Sequence, residues 1–167
     1  MRVAPLGAYF ADDLEATVKE ARRAAEVTHA HPEGQAGAIA WAVATAMTWR
    51  TREMDPSQAA ACILEETIAR TPKGSTHDGL LQAQGIPLST PVLEAAAVLG
   101  NGSKITAQDT VPFCVWVLGR HLRHFEEAMW QTLSVLGARD TTCAMVAGAL
   151  APTLEPLPCV WLARREP

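Results

Sequence analysis

The stretch AGAIAWAVATA at residues 36–46 decides the fold class of this chain. It is rich in alanine, the strongest helix former, and its apolar side chains recur at the spacing of one helix face. Pro32 just upstream suits the first turn of a helix that we expect to run to about Arg52. The apolar face of that helix comprises Ala36, Ile39, Ala40, Val43, Ala44 and Met47. We predict a central, largely buried helix.

Further helices are predicted on both sides of this central one. An amphipathic helix should cover residues 12–27, and a half-exposed one should start at residues 55–57 and break at residues 71–75. Residues 71–90 should be a surface connection with one short helix. The remaining expected helices are residues 78–84 within that connection, 91–99 ending at Gly100, 113–118, 125–136, 140–152 and a short capping helix at 158–167.

Length and composition fit one all-α domain, a compact multi-helix bundle over residues 1–167. A chain of this length buries roughly two-thirds of its unfolded surface, which is enough for a proper core. Hydrophobic residues make up 49% of the sequence and aromatic residues only 5%, as is typical of closely packed helices.

The charge pattern argues against two classes of partner. The net charge is −4 and the basic residues are scattered, so we expect neither nucleic acid nor an anionic membrane as a partner. No segment has the length of a membrane span or a signal peptide, and we expect a cytoplasmic protein. The four cysteines are widely spaced, which favours buried reduced thiols over disulfides or zinc.

The first candidate site is the turn at residues 136–146, where Gly137 leads into an alanine-rich helix. Asp140 can cap the exposed amides of that helix or, with Thr141, offer hard oxygens to a divalent cation. Spacing alone favours the cap. Magnesium takes about six oxygens, so two residues can form only part of a site.

The second candidate is the pair His29 and His31, two residues apart before the central helix. The two imidazoles can approach one ligand in an extended segment, but a role in capping the helix is favoured. Gly34 and Gly37 on one side of the helix allow another backbone or a ligand to come close.

Two further groups have structural interpretations. His121 and His124 lie three residues apart, but Arg120 and its neighbours disfavour a cation, so we expect a solvated face. Asp109 is expected to cap a helix. The five tryptophans, at helical intervals, are most simply core or interface residues.

Several motifs, in order along the chain, resemble the ADP-ribosylglycohydrolase family. Residues 28–38 are similar to its Thr-His-x-His-x-x-Gly-x-x-Gly-Ala segment, and residues 137–141 to its signature Gly-(Gly)-Asp-x-Asp-Thr. Residues 100–103 and 108–113 are similar to further family segments. Residues 1–7 resemble part of the family's Asn-Gly-x-Ala-Met-Arg-Val-type loop. At the first aspartate position of the signature this chain has Ala138.

The resemblance implies the C-terminal part of an all-α glycohydrolase fold. It implies that Asp140 and Thr141 help to bind magnesium, that His29 lies in the ADP-ribose pocket, and that Ala138 removes one metal ligand. Family members are longer, and their N-terminal half supplies further metal-binding aspartates. No catalytic residue can be named in this chain.

The function implied by the resemblance is magnesium-dependent hydrolysis that removes ADP-ribose from modified side chains. We expect little or no such activity from this chain by itself, and three possibilities follow. The chain is a shortened hydrolase, a non-catalytic module that binds ADP-ribose or an ADP-ribosylated protein, or a helical interaction protein such as half of a split enzyme. In the third case a homodimer or a partner would cover the apolar face left by the absent N-terminal half.

Overall fold

A computed structural model describes residues 2–153 and 159–164 of the chain. These residues form α-helices and two short 3₁₀ turns, with no strand among them, so the predicted all-α fold is confirmed. The helices are α1 (Ala4–Tyr9), α2 (Leu14–Glu26), α3 (Pro32–Arg50), α4 (Pro56–Arg70), α5 (Ser75–Gly85), α6 (Val92–Leu99), α7 (Val111–Arg120), α8 (Phe125–Ser134), α9 (Arg139–Leu150) and α10 (Cys159–Ala163). The 3₁₀ turns are Ala107–Asp109 and Ala151–Thr153.

Helix α3 is the centre of the bundle, as predicted. Helices α1, α2 and α4 pack along it, and α5, α7 and α9 also contact it. Every residue from Ile39 to Thr48 is buried, so the helix is enclosed around its whole circumference and not only on the expected face. Trp41, at its middle, has no exposed surface.

Small side chains allow the neighbouring segments to approach α3 closely. A Cβ atom at Gly7 of α1 would overlap the carbonyl oxygen of Ala42, and one at Gly37 would lie 2.5 Å from the Cβ atom of Ala107. The hydroxyl groups of Thr45 and Thr48 donate hydrogen bonds, each of 2.9 Å, to carbonyl oxygens one turn back in α3. These polar side chains are therefore satisfied inside the core.

Two aspartates begin helices where the sequence predicts a start. Asp13 accepts a 3.0 Å hydrogen bond from the amide of Ala16 at the start of α2. Asp55 accepts a 2.9 Å bond from the amide of Ser57 at the start of α4. Gly100, which follows α6, has the expected positive φ, at 91°.

Other segments differ from the sequence prediction. Helix α1 was not expected, and α5 starts at Ser75 and buries Thr76, Leu80 and Ala83, so it belongs to the bundle. Asp109 does not cap a helix: its carboxylate accepts a 2.8 Å bond from the amide of Lys104. Thr110, and not Asp109, precedes α7.

The C-terminal capping helix is confirmed only for α10. The ring of Trp161 lies 5.8 Å from that of Phe125 and 6.2 Å from that of Trp130, measured between centroids, so α10 rests on α8. Residues 158 and 165–167 of the predicted helix lie outside the described residues.

The four cysteines are free thiols, but the predicted burial holds only for Cys114: Cys62 and Cys143 are half-buried, and Cys159 is exposed. Burial raises the pKa of the Cys114 thiol far above its ordinary range, so this group stays protonated in the core. Among the residues that the structure describes, no helix is long and apolar enough to cross a membrane.

The expected solvated face at His121 is wrong. His121 is only 6% exposed, whereas His124 lies on the surface. Burial lowers the pKa of His121, which therefore stays neutral at physiological pH. The two imidazoles do not share one helix face, because α7 ends at Arg120. His121 therefore stays in the core, whereas His124 lies beyond the following turn.

We predict that Gly7→Ala destabilises the fold by about 1–3 kcal/mol, because the added methyl group must displace the backbone of α3. Gly85→Ala is the control: a Cβ atom there has no neighbour within 4 Å, and because Gly85 is the exposed last residue of α5 the change should alter stability by less than about 0.5 kcal/mol. Urea unfolding followed by circular dichroism measures both. Equal stability of the two variants would contradict the close packing of α1 on α3.

Candidate functional site

A cleft with a volume of about 550 Å³ opens at the N-terminal end of α3. It lies between the end of α2, the first turns of α3, the segment from Gly102 to Val111 and the start of α9. The cleft collects side chains from both candidate motifs of the sequence. Its lining includes Arg2, Thr28, His29, His31, Glu33, Ile105, Thr106, Gln108, Ala138, Thr141 and Met145.

His29 sits in the short turn between α2 and α3, where three contacts fix it. Its Nδ1 atom is 2.8 Å from the hydroxyl oxygen of Thr28. Its carbonyl oxygen accepts a 3.2 Å bond from the side-chain amide of Gln35. A Cβ atom at Gly34 would lie 2.9 Å from the imidazole, so the close approach expected at this glycine is made by His29 itself.

His31 caps α3, which is the favoured interpretation of this histidine from the sequence. Its Nδ1 atom accepts a 3.1 Å hydrogen bond from the amide of Glu33. Because an amide can only donate, Nδ1 of His31 carries no proton, and the neutral ring has its hydrogen on Nε2. Both histidines line the cleft, but they have different structural roles.

Glu33 ties the cleft to α5. Its carboxylate accepts bonds of 2.8 Å from the amides of Ser75 and Thr76 and one of 2.7 Å from the hydroxyl of Thr76. Burial by itself would raise the pKa of Glu33, but these hydrogen bonds, with the nearby His31, outweigh it and the pKa is lowered. Glu33 is therefore an ionised cap on the start of α5.

Asn101 joins the turn before α9 to the segment after α6, and both lie on the far side of the cleft. Its carbonyl oxygen accepts a 3.2 Å bond from the amide of Ala138, and its side chain donates a 3.0 Å bond to the carbonyl of Val135. Gly137 between them has φ of +68°, and a Cβ atom there would overlap the carbonyl oxygen of Asn101. The glycine turn predicted before α9 is thus present and fastened in place.

Thr141 and Asp140, which follow the turn, differ in how far they are exposed to solvent. Thr141 is half-buried and lines the cleft, whereas Asp140 is exposed beside it. The alternative role of Asp140 as a helix cap is wrong, because Ala138 occupies the cap position of α9 and no side chain caps the helix there. The fastened turn places Asp140 inside the first turn of α9. A carboxylate there is stabilised by the positive end of the helix dipole.

The donors of this turn do not make a magnesium site by themselves. The Asp140 carboxylate and the Thr141 hydroxyl supply two kinds of oxygen, and the methyl side chain of Ala138 supplies none. Among the described residues there is no group of three or more His, Cys, Asp or Glu side chains placed to hold a metal ion.

A second cleft, of about 660 Å³, lies at the opposite end of α3 and contains none of the predicted site residues. Its lining includes Arg52, Met54, Arg123, Phe125 and Trp130. It is the larger of the two, but only the first cleft combines His29 with Thr141.

Sequence reasoning missed the roles of three residues that shape the site: Thr28, Glu33 and Asn101. Thr28 is next to His29 and could have been found from its neighbour. Glu33 and Asn101 act on partners 42 and 37 positions away along the chain, and nothing local reveals such contacts.

Comparisons with known proteins were made for the whole chain. A family model described as ADP-ribosylglycohydrolase matches residues 1–166. Searches of curated proteins and of solved structures returned no match.

We predict that Glu33→Gln lowers the free energy of unfolding by about 1–3 kcal/mol near neutral pH, because α5 loses its charged cap. The folded-state pKa is lowered, so the stabilisation by Glu33 is present above about pH 4.5 and is lost as pH falls through the folded value. Urea unfolding at pH 7 and pH 3 should show a difference from wild type that shrinks at acid pH. Glu65→Gln, a change at an exposed carboxylate, is the control, and a pH-independent difference for Glu33→Gln would contradict the capping role.

Proposed function

The chain belongs to the ADP-ribosylglycohydrolase family, and from that premise we propose that its cleft binds ADP-ribose or the ADP-ribosyl group of a modified protein. The observation that carries the proposal is the meeting of residues 28–37 with Gln108 and Thr141 around one cleft. These segments are far apart in sequence.

The charge of the lining supports a ligand with a pyrophosphate. Arg2 carries a positive charge there, the two imidazoles can offer N–H donors, and Glu33 is the only carboxylate among the described lining residues. Its oxygens already accept three hydrogen bonds from α5. An anionic group therefore meets donors and little repulsion.

The apolar part of the lining supports a ligand with a flat base. Val3, Ile105, Val111 and Met145 contribute apolar surface beside the polar groups. Ligand pockets typically combine such a surface with a few polar side chains that fix orientation. ADP-ribose has a planar adenine at one end and hydroxyl-rich sugars linked by phosphates, which suits this mixture.

The family activity is cleavage of a glycosidic bond, and we propose that this chain has little of it alone. Water must be activated by a base within hydrogen-bond reach. Glu33, the one carboxylate among the described cleft residues, has a lowered pKa and is engaged by α5, so it is poorly suited to take a proton. Binding without rapid hydrolysis is therefore the function that this geometry supports best.

Asp140 and Thr141 are the two residues of this chain that we propose as magnesium ligands. Magnesium bound in proteins commonly takes one or two carboxylates together with ligand phosphate oxygens and water. We propose that this chain holds magnesium at these two residues only with a phosphate-bearing ligand in the cleft.

We predict that His29→Ala weakens ADP-ribose binding by about tenfold, because the ligand loses a side chain that lines the cleft. Isothermal titration calorimetry of the purified chain measures the affinity. His124→Ala, which removes an exposed histidine at the other cleft, should leave it unchanged. Unchanged affinity in His29→Ala would remove the main support for the proposal.

Magnesium at the α9 turn has a separate test. Millimolar magnesium should tighten ADP-ribose binding to the wild-type chain, and Asp140→Asn should abolish that increase because the carboxylate is lost. Asp78→Asn, at an exposed aspartate in the first turn of α5, should keep it. Tightening that survives in Asp140→Asn would place the ion elsewhere.

Hydrolysis is tested with an ADP-ribosylated protein as substrate. We expect binding of the modified protein with little release of free ADP-ribose over hours, measured by chromatography. Rapid release, with rates that rise with enzyme concentration, would show that this chain is an active hydrolase and would overturn the preference for binding alone.

A further inference from the structure

Thr28 makes a contact with His29 that no motif in the sequence indicates. The hydroxyl oxygen of Thr28 lies 2.8 Å from Nδ1 of His29 and 3.4 Å from the carbonyl oxygen of Ala25. A hydroxyl has one proton, so it can donate to only one of these two acceptors at a time.

The distances decide which acceptor receives the proton. Hydrogen bonds from hydroxyl groups are usually 2.5–3.0 Å long, so the contact with Ala25 is too long to compete with the contact at Nδ1. A protonated Nδ1 could instead donate to the hydroxyl, but the hydroxyl proton would then have only the 3.4 Å contact with Ala25 among the described residues, so the distances favour donation from Thr28 to Nδ1. A neutral His29 must then carry its own proton on Nε2.

We propose that Thr28 is a positioning residue that holds His29 as the Nε2–H tautomer, so that the ring offers an N–H donor to an acceptor oxygen of the ligand. The ligand part of this inference rests on the proposed function. Assignment of the tautomer does not.

The surroundings of the ring fit this role. One edge of the exposed ring lies against Gly34, and Gln35 holds its backbone carbonyl. The Nδ1 contact is the one hydrogen bond of the ring among the described residues. Fixing the tautomer and orientation before the ligand arrives lowers the free-energy cost of ordering the side chain on binding.

His31 provides a reference within the same molecule. Its Nδ1 atom accepts a bond from a backbone amide, so its neutral ring must be the Nε2–H tautomer. If the inference is right, the two imidazoles share one protonation pattern although their Nδ1 partners differ.

The test is nitrogen NMR of the histidine rings at a pH of about 8, where ordinary imidazoles are neutral. We expect His29 and His31 in the wild-type chain to show the same pattern, an acceptor-type Nδ1 and a protonated Nε2. Thr28→Val should move the two nitrogen shifts of His29 towards each other, as in a mixture of tautomers. Thr28→Ser, which keeps the hydroxyl, should retain the wild-type pattern, and His31 should be unchanged in both variants.

Two results would overturn the proposal: a protonated Nδ1 on His29 in the wild-type chain, or unchanged His29 shifts in Thr28→Val. These outcomes need no ligand, so they are distinguishable from failure of the proposed function, which would appear as no ADP-ribose binding by the wild type.

With the tautomer established, calorimetry tests its use in binding. Thr28→Val should weaken ADP-ribose binding by about twofold, because only the Nε2–H fraction of a tautomer mixture can donate to the ligand, and Thr28→Ser should restore it. Wild-type affinity in a Thr28→Val chain whose tautomer has changed would show that the ligand does not use this donor.

Discussion

The structure depends on the small size of the side chains along α3. A helix enclosed on all sides can be approached closely only where its surface and its neighbours carry glycine, alanine or threonine. Gly7 against Ala42 and Gly37 against Ala107 are two points of close approach. Threonine is tolerated in this setting because its hydroxyl bonds to the helix that carries it, as at Thr45. The bundle therefore obtains a dense core from a chain with few aromatic residues.

The enclosed helix also determines where a ligand can bind. Its buried length leaves only its two ends accessible, and a cleft lies at each end. At the N-terminal end the first turn of α3 is clamped from two directions, by His31 as its own cap and by Glu33 on the start of α5. The imidazole of His29 is presented from this rigid base. The turn that carries His29 is exposed, and these contacts hold the helix start to which it leads.

The sequence was sufficient where the signals were local. Proline at the start of α3, aspartates before α2 and α4, and the alanine-rich stretch each act within one or two helical turns. Prediction failed where the deciding partner was distant. Pro5 suits the first turn of α1, but Gly7 resembles a helix breaker, and its close packing on Ala42 is a contact that the sequence does not reveal. The start of α5 needs Glu33, and the position of Asp140 is set by Asn101, which fastens the turn before it. In the site, the motifs indicated His29 and Thr141; the contacts of His29 are local, whereas the turn that leads to Thr141 is held by the distant Asn101.

The hydrogen bonds between Asn101 and the turn before α9 affect when the cleft can form during synthesis of the protein. One wall of the cleft is made from residues 28–38, and the other is complete only when residues 101–145 have left the ribosome and docked. A nascent chain that has formed α2 and α3 lacks the complete cleft until most of the polypeptide is in place. A ligand that touches both walls recognises only the finished fold, and by mass action its concentration adds to the stability of that state alone.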